Sequence, residues 1–207
     1  VPGLLSDGNG PTHQAIEDVS LMRGIPGFHV FGPADEEDLV LGLPAIVNSP
    51  HPTYIRHNAL KPVDGYEHQP FEIGRAEQLS DGDDVAILVY GFLLREAWAA
   101  KARLEAEGLS VRLINIRMPK PIDVEAVLAA ARETSLLVTL EDHFLTGGLF
   151  SIVSELLVRH GETAEVLPIA LEERWFKPAL LPDVLRHEGF TGEQIAARIL
   201  ERLPIRA

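Results

Sequence analysis

The sequence contains no cysteine, which excludes disulfides, thiolate-held metals, iron–sulfur clusters and a cysteine nucleophile. It is also poor in positive charge: 18 Lys and Arg stand against 31 Asp and Glu, for a formal net charge of −13. A field of that sign repels phosphate backbones and argues against nucleic-acid binding. Long apolar runs are missing. The longest, Val85 to Leu94, is interrupted by Gly91 and falls far short of the ~20 residues a membrane-spanning helix needs. No basic stretch followed by an apolar one opens the chain, so no secretion signal is read there. No Gly-x-Ser-x-Gly follows a strand pattern, which leaves Ser-His-Asp catalysis without support. What is present is 46% apolar and 24% charged residues over 207 positions. A folded chain of this size hides about 70% of its unfolded surface. The expectation is a soluble, acidic, cytoplasmic α/β protein.

The first third and the remainder differ in texture. Up to residue 66, turn signals are dense: Val1-Pro2-Gly3, Asp7-Gly8-Asn9-Gly10-Pro11, Ile25-Pro26-Gly27 and Asn48-Ser49-Pro50-His51-Pro52. Between them, Ile16, Val19 and Met22 share one face of a helix expected over 13–23, and Phe28 to Phe31 reads as a strand. Ala34 to Asp38 loads acid onto a helix N-terminus, with Pro44 expected to kink that helix. Thr53 to Arg56 is a short β-favouring run, and residues 59–70 have no period and read as a linker. Beyond it the pattern is regular. Strands are expected over 85–90, 110–116, 136–140 and 165–169. They alternate with helices over 93–107, from Asp123 to about 132, from the Gly147-Gly148 turn to about 160, and from Thr191. Continuous apolar strands in such alternation predict right-handed βαβ units and a mostly parallel sheet. Two domains are expected, over 1–66 and 67–207. The first opens at Val1 in a loop feeding a helix and is thin for a core of its own, so further residues, upstream or on another polypeptide, are expected to complete it.

The densest polar constellation is Asp7 to Gln14. Pro11 is pre-set for a first helical position, which would put His13 in the first turn. There the positive helix end disfavours imidazolium and leaves a neutral ring able to donate to an oxygen that gains negative charge. A surface turn with an exposed histidine fits the same residues. Arg56, at a strand end, reads by itself as a surface ion-pair partner worth about 0–1 kcal/mol. Glu141-Asp142-His143 follows an expected strand end, where α/β sheets often place ligands, but a structural role is favoured. Gly147-Gly148 could offer amides to an anion, although a packing turn is the simpler reading. His51, His57 and His68 lie in loops without metal-ligand spacing and read as solvated. Trp98 and Trp175-Phe176 read as core or interface anchors.

Gly10-Pro11-Thr12-His13-Gln14-Ala15-Ile16-Glu17-Asp18, then Met22-Arg23-Gly24-Ile25-Pro26-Gly27 and Pro33-Ala34-Asp35, strongly resemble transketolase, in the later part of its pyrimidine-binding domain. Tyr54-Ile55-Arg56-His57-Asn58 looks like the strand that ends that domain. Phe71 to Glu77, Val85 to Gly91 and Leu140 to Leu149 look like the C-terminal domain. The resemblance covers nearly the whole chain, with its motifs in the family's order. It implies part of a pyrimidine-binding α/β domain followed by a mostly parallel transketolase C-terminal domain. It also implies a thiamine diphosphate and Mg2+ enzyme that moves a two-carbon ketol unit between sugar phosphates. The cofactor does the carbanion chemistry and the protein positions the sugars.

Carried over by resemblance, His13 is the catalytic histidine that hydrogen-bonds the donor's terminal hydroxyl and the intermediate. Arg56 matches the arginine that binds the sugar phosphate. Asn9 falls where the family usually carries an aspartate that binds a sugar hydroxyl, and an uncharged amide there implies altered acceptor choice. The family's proton-donating glutamate, the aromatic residues around the pyrimidine, and the diphosphate and metal sites all lie outside this stretch. No metal ligands or cofactor contacts are therefore assigned here. The chain is expected to be a C-terminal portion, or the small component of a split transketolase, working with an upstream segment in a dimer. Rival readings are a deoxyxylulose phosphate synthase-like or 2-oxoacid dehydrogenase β-like component, and a non-catalytic assembly module of the same fold.

Overall fold

The computed structural model describes residues 1–6 and 8–203; Asp7, part of the polar run above, lies outside the described residues. Two sheets form. The smaller pairs β1 (His29–Phe31) with β2 (Thr53–Ile55) in parallel. The larger has five strands: β3 (Glu77–Ser80), β4 (Val85–Val89), β5 (Val111–Asn115), β6 (Leu136–Phe144) and β7 (Val166–Leu171). Their order is β3-β5-β4-β6-β7, parallel except for the edge strand β3, which runs antiparallel to β5. The helices are α1 (Asp18–Arg23), α2 (Glu36–Val47), α3 (Leu94–Ala106), α4 (Val124–Glu133), α5 (Leu149–His160), α6 (Leu181–Glu188) and α7 (Gly192–Arg202). The expected α/β architecture with a mostly parallel sheet is what the chain adopts.

Both faces of the larger sheet are buried. Val85, Ile87 and Val89 enter one apolar cluster with Leu104 of α3, Val184 of α6 and Ile199 of α7. Ala86 and Leu88 enter a second, with Val127 of α4 and Val153 of α5. A strand covered on both sides needs no polar alternation, which is why β4 is a continuous apolar run. Val19 of α1 and Val30 of β1 join the second cluster, so the first third packs on the same core. Helix starts follow the capping residues. Asp123 accepts the Ala126 N–H at 3.1 Å, Thr191 that of Gln194 at 3.3 Å, and Asp35 those of Glu37 and Asp38 at 3.0 Å.

Four features add to the sequence reading or depart from it. The helix expected over 13–23 begins only at Asp18, because the backbone before it is already committed. Ala15 accepts from the Gly3 N–H at 2.8 Å and donates to the Val1 carbonyl at 2.8 Å. Among the described residues ahead of it, a single 3-10 turn forms, Gly10–Thr12. Second, α2 carries Pro44 in its interior and continues to Val47. Third, β6 does not end at Leu140 but runs on, buried, through Glu141, Asp142 and His143. Fourth, residues 59–70 form neither helix nor strand, as expected, yet His68 is not solvated: its side chain is 1% exposed. β3 and α6 are additional elements.

Candidate functional site

The described residues of the polar run lie in a loop whose two ends run side by side, joined at Gly3, Ala15 and Val1. Gln14 is buried and its amide donates to the Leu4 carbonyl at 3.0 Å, tying the loop across its neck. At the outer end Asn9, Thr12 and His13 are exposed. Asn9 donates to the Ser6 hydroxyl at 2.9 Å, the Thr12 hydroxyl reaches the Asn9 carbonyl at 3.4 Å, and that hydroxyl lies 2.9 Å from His13 Nδ1. The hydrogen-bond chain links His13 to the main-chain carbonyl of Asn9 on one turn, while the Asn9 amide is held by Ser6. It leaves His13 Nε2 without a hydrogen-bond partner among the described residues. His13 ends the 3-10 turn and is outside any helix first turn, so the dipole argument made from the sequence does not apply to it. The segment after β7 braces the loop: Gly8 donates to the Ala179 carbonyl at 3.0 Å. Gly10, at φ +68°, lies so close to Pro178 that a Cβ would approach it to 2.6 Å.

Arg56 stands beneath this loop, at the end of β2, and is 3% exposed. Its Nε donates to Asp18 at 2.9 Å, Nη1 pairs with Asp142, and Nη2 donates to the carbonyls of Ala15 at 3.1 Å and Asp142 at 3.3 Å. Tyr54 adds a hydroxyl to Asp18 at 2.9 Å, and the guanidinium lies 5.4 Å from the Tyr90 ring centre. Burial pushes the Asp142 carboxyl up, and the field of Arg56 opposes that push. Arg56 is thus neither a surface ion-pair partner nor turned outward like Asn9 and His13. Its donors are directed into the chain. No sequence pattern pairs Asp18 or Asp142 with it; the one local sign is a charged triplet interrupting an apolar strand.

The rest of that triplet is structural. Glu141 accepts the backbone N–H groups of Leu149 at 2.6 Å and Phe150 at 3.0 Å, so the N–H groups at the start of α5 are taken up by the chain's own carboxyl. Burial pushes that carboxyl up to about 8. Gly148 makes the approach possible, since a Cβ there would stand 1.9 Å from Glu141 Oε2. His143 Nδ1 lies 2.6 Å from the Phe144 carbonyl and carries the proton, while Nε2 accepts the Ser20 N–H at 3.3 Å. Burial lowers the pKa of this ring and keeps it neutral.

A second charged cluster was invisible to sequence reasoning. His68 lies between Glu77 at 2.9 Å and Asp35 at 3.0 Å, while Arg117 pairs with Asp38 at 2.8 Å and Glu77 at 2.8 Å. It joins the 59–70 segment, the start of α2 and the β3–β5 edge.

Comparison with known proteins matches both parts of the chain. Residues 3–61 match the transketolase pyrimidine-binding domain model, and residues 74–195 match the transketolase C-terminal domain model. A 1-deoxy-D-xylulose-5-phosphate synthase of Dictyoglomus thermophilum is 35% identical over 97% of this chain and 33% of its own length. The 6-deoxy-6-sulfo-D-fructose transketolase subunit SqwH of a Clostridium species is 39% identical over 75% of this chain and 49% of its own. A putative transketolase C-terminal section of Methanocaldococcus jannaschii is 30% identical over 97% of this chain and 64% of its own. A solved split-gene transketolase, described as an inactive β4 tetramer, superposes with a TM-score of 0.81 at 32% identity, over 92% of this chain and 62% of that one. The chain therefore spans between one third and two thirds of the length of these relatives. It belongs to the transketolase family, with sequence matching the pyrimidine-binding domain followed by sequence matching the C-terminal domain.

Proposed function

We propose that this chain is the C-terminal component of a thiamine diphosphate-dependent transketolase-type enzyme, and that it moves a two-carbon ketol unit between sugars together with an upstream segment. The observation that carries the reading is the exposed loop on which Asn9 and His13 are joined through Thr12, in a chain of this family. An amide, a hydroxyl and an imidazole suit the hydroxyls and carbonyl-derived oxygen of a sugar. They do not suit a diphosphate, which with Mg2+ falls to the upstream segment. When bound, thiamine diphosphate supplies the carbanion chemistry. His13 would donate a hydrogen bond to the oxygen that gains charge, and Asn9 would hold a neighbouring hydroxyl. Arg56 would steady the loop from below.

On this reading residues 1–66 finish the pyrimidine-binding domain, residues 67–207 are the C-terminal domain, and the assembled enzyme is a cytoplasmic dimer. The test combines the chain with its upstream transketolase segment, thiamine diphosphate, Mg2+ and a panel of ketose donors and aldose acceptors. Two-carbon transfer that neither polypeptide performs alone is the expected result. No transfer from any donor, with the cofactor bound, would discard the reading.

A further inference from the structure

The loop that carries Asn9 and His13 is gripped at both ends by one buried ion pair, whose guanidinium follows β2 and whose carboxylate comes from the C-terminal half of the chain. Asp142, near the end of β6, accepts the Leu4 N–H at 3.3 Å on the incoming side of the loop. Its partner Arg56 donates to the Ala15 carbonyl at 3.1 Å on the outgoing side. Gly3 leaves the room for this: at φ +53°, a Cβ would stand 1.4 Å from Asp142 Oδ2. The arginine is itself held in place by Asp18 and by the Asp142 main-chain carbonyl. Around one guanidinium there are two carboxylates, each nearly or fully buried, so the cluster offers an incoming dianion no surplus of positive charge.

We infer that Arg56 and Asp142 are positioning residues, which clamp the two feet of the site loop and set the pose of Asn9 and His13, and that Arg56 does not read the phosphate of a sugar substrate. This rests on the proposed transfer reaction only for its kinetic consequence; the clamp itself is a statement about the loop. A side chain that fixes a loop acts on every substrate alike, whereas a phosphate reader acts only on phosphorylated ones.

The test uses the assembled complex with Asp142→Asn, which keeps the volume but removes the charge and leaves one acceptor oxygen where the carboxylate offers two, to the Leu4 N–H and to Arg56. Hydrogen exchange followed by mass spectrometry should show peptides within 3–16 exchanging at least tenfold faster, with β4 peptides unchanged. Turnover should fall at least tenfold, mainly in kcat, and by the same factor for phosphorylated and unphosphorylated ketoses. Unaltered exchange over 3–16 would overturn the clamp, and so would a loss confined to phosphorylated sugars. If Asp142→Asn does not fold, Arg56→Gln combined with Asp142→Asn removes both charges together and is judged by the same readings. If the unaltered complex shows no transfer at all, the functional reading fails while the exchange measurement still decides the clamp.

Discussion

A protonated imidazole between two carboxylates is stable in a protein interior only while the pair stays ionised, and His68 is in that position. Its two ring nitrogens face Glu77 and Asp35, so both carry protons. Burial opposes the charge. The hydrogen bonds to Asp35 and Glu77, helped by the fields of Asp38 and Glu77, outweigh burial and raise the pKa from 6.5 to about 10. Arg117 shares the cluster and the Tyr66 ring packs edge-on at 5.2 Å. The sign follows from a folded pKa above the unfolded one: the stabilisation is complete below about 6.5 and is lost as pH rises toward 10. The urea midpoint of the wild type should therefore drop between pH 7 and pH 9.5 by clearly more than that of His68→Gln. Parallel midpoints would show that His68 contributes no such charge. Sequence could not have found this residue, because its partners stand 33 and 9 positions away and none shares a motif with it.

At the scale of elements, legibility follows burial. β4 and most of β6 were visible because double-sided burial leaves an uninterrupted apolar signature, and α4 and α7 because Asp123 and Thr191 cap them. β3 is Glu-Gln-Leu-Ser, an edge strand created by pairing with β5 rather than by its own pattern. α6 did carry a signal, Pro182 just inside its start and Gly189 in the left-handed conformation just past its end. The end of β6 was misplaced because Glu141, Asp142 and His143 look like solvent-facing residues until their distant partners are known. The α5 start depends on that triplet and gives a direct check. Gly148→Ala must drive the Glu141 carboxyl off the Leu149 and Phe150 N–H groups, at a cost of about 1–3 kcal/mol. Gly24→Ala, at φ −70° with no neighbouring atom nearer than 3.5 Å, should be nearly neutral in the same unfolding assay. Equal effects would mean that Glu141 does not depend on the absent side chain.

For the molecule as a whole, two sheets share one core. The site loop draws on both: its residues come from the first third, one brace from the segment after β7, and its clamp from β6 and the end of β2. The Gly-Pro-Thr-His-Gln run made the loop legible in the sequence. The inward turn of Arg56 was not, since a lone arginine after a strand gives no hint of carboxylates 38 and 86 positions away. The central claim is that this loop, through His13, meets the oxygen that gains charge in a two-carbon transfer. The most direct measurement is the turnover of His13→Ala in the complex with its upstream segment, at saturating thiamine diphosphate, with cofactor occupancy measured alongside. A fall of about 10²-fold or more at full occupancy is expected. Turnover equal to that of the unaltered complex would contradict the account.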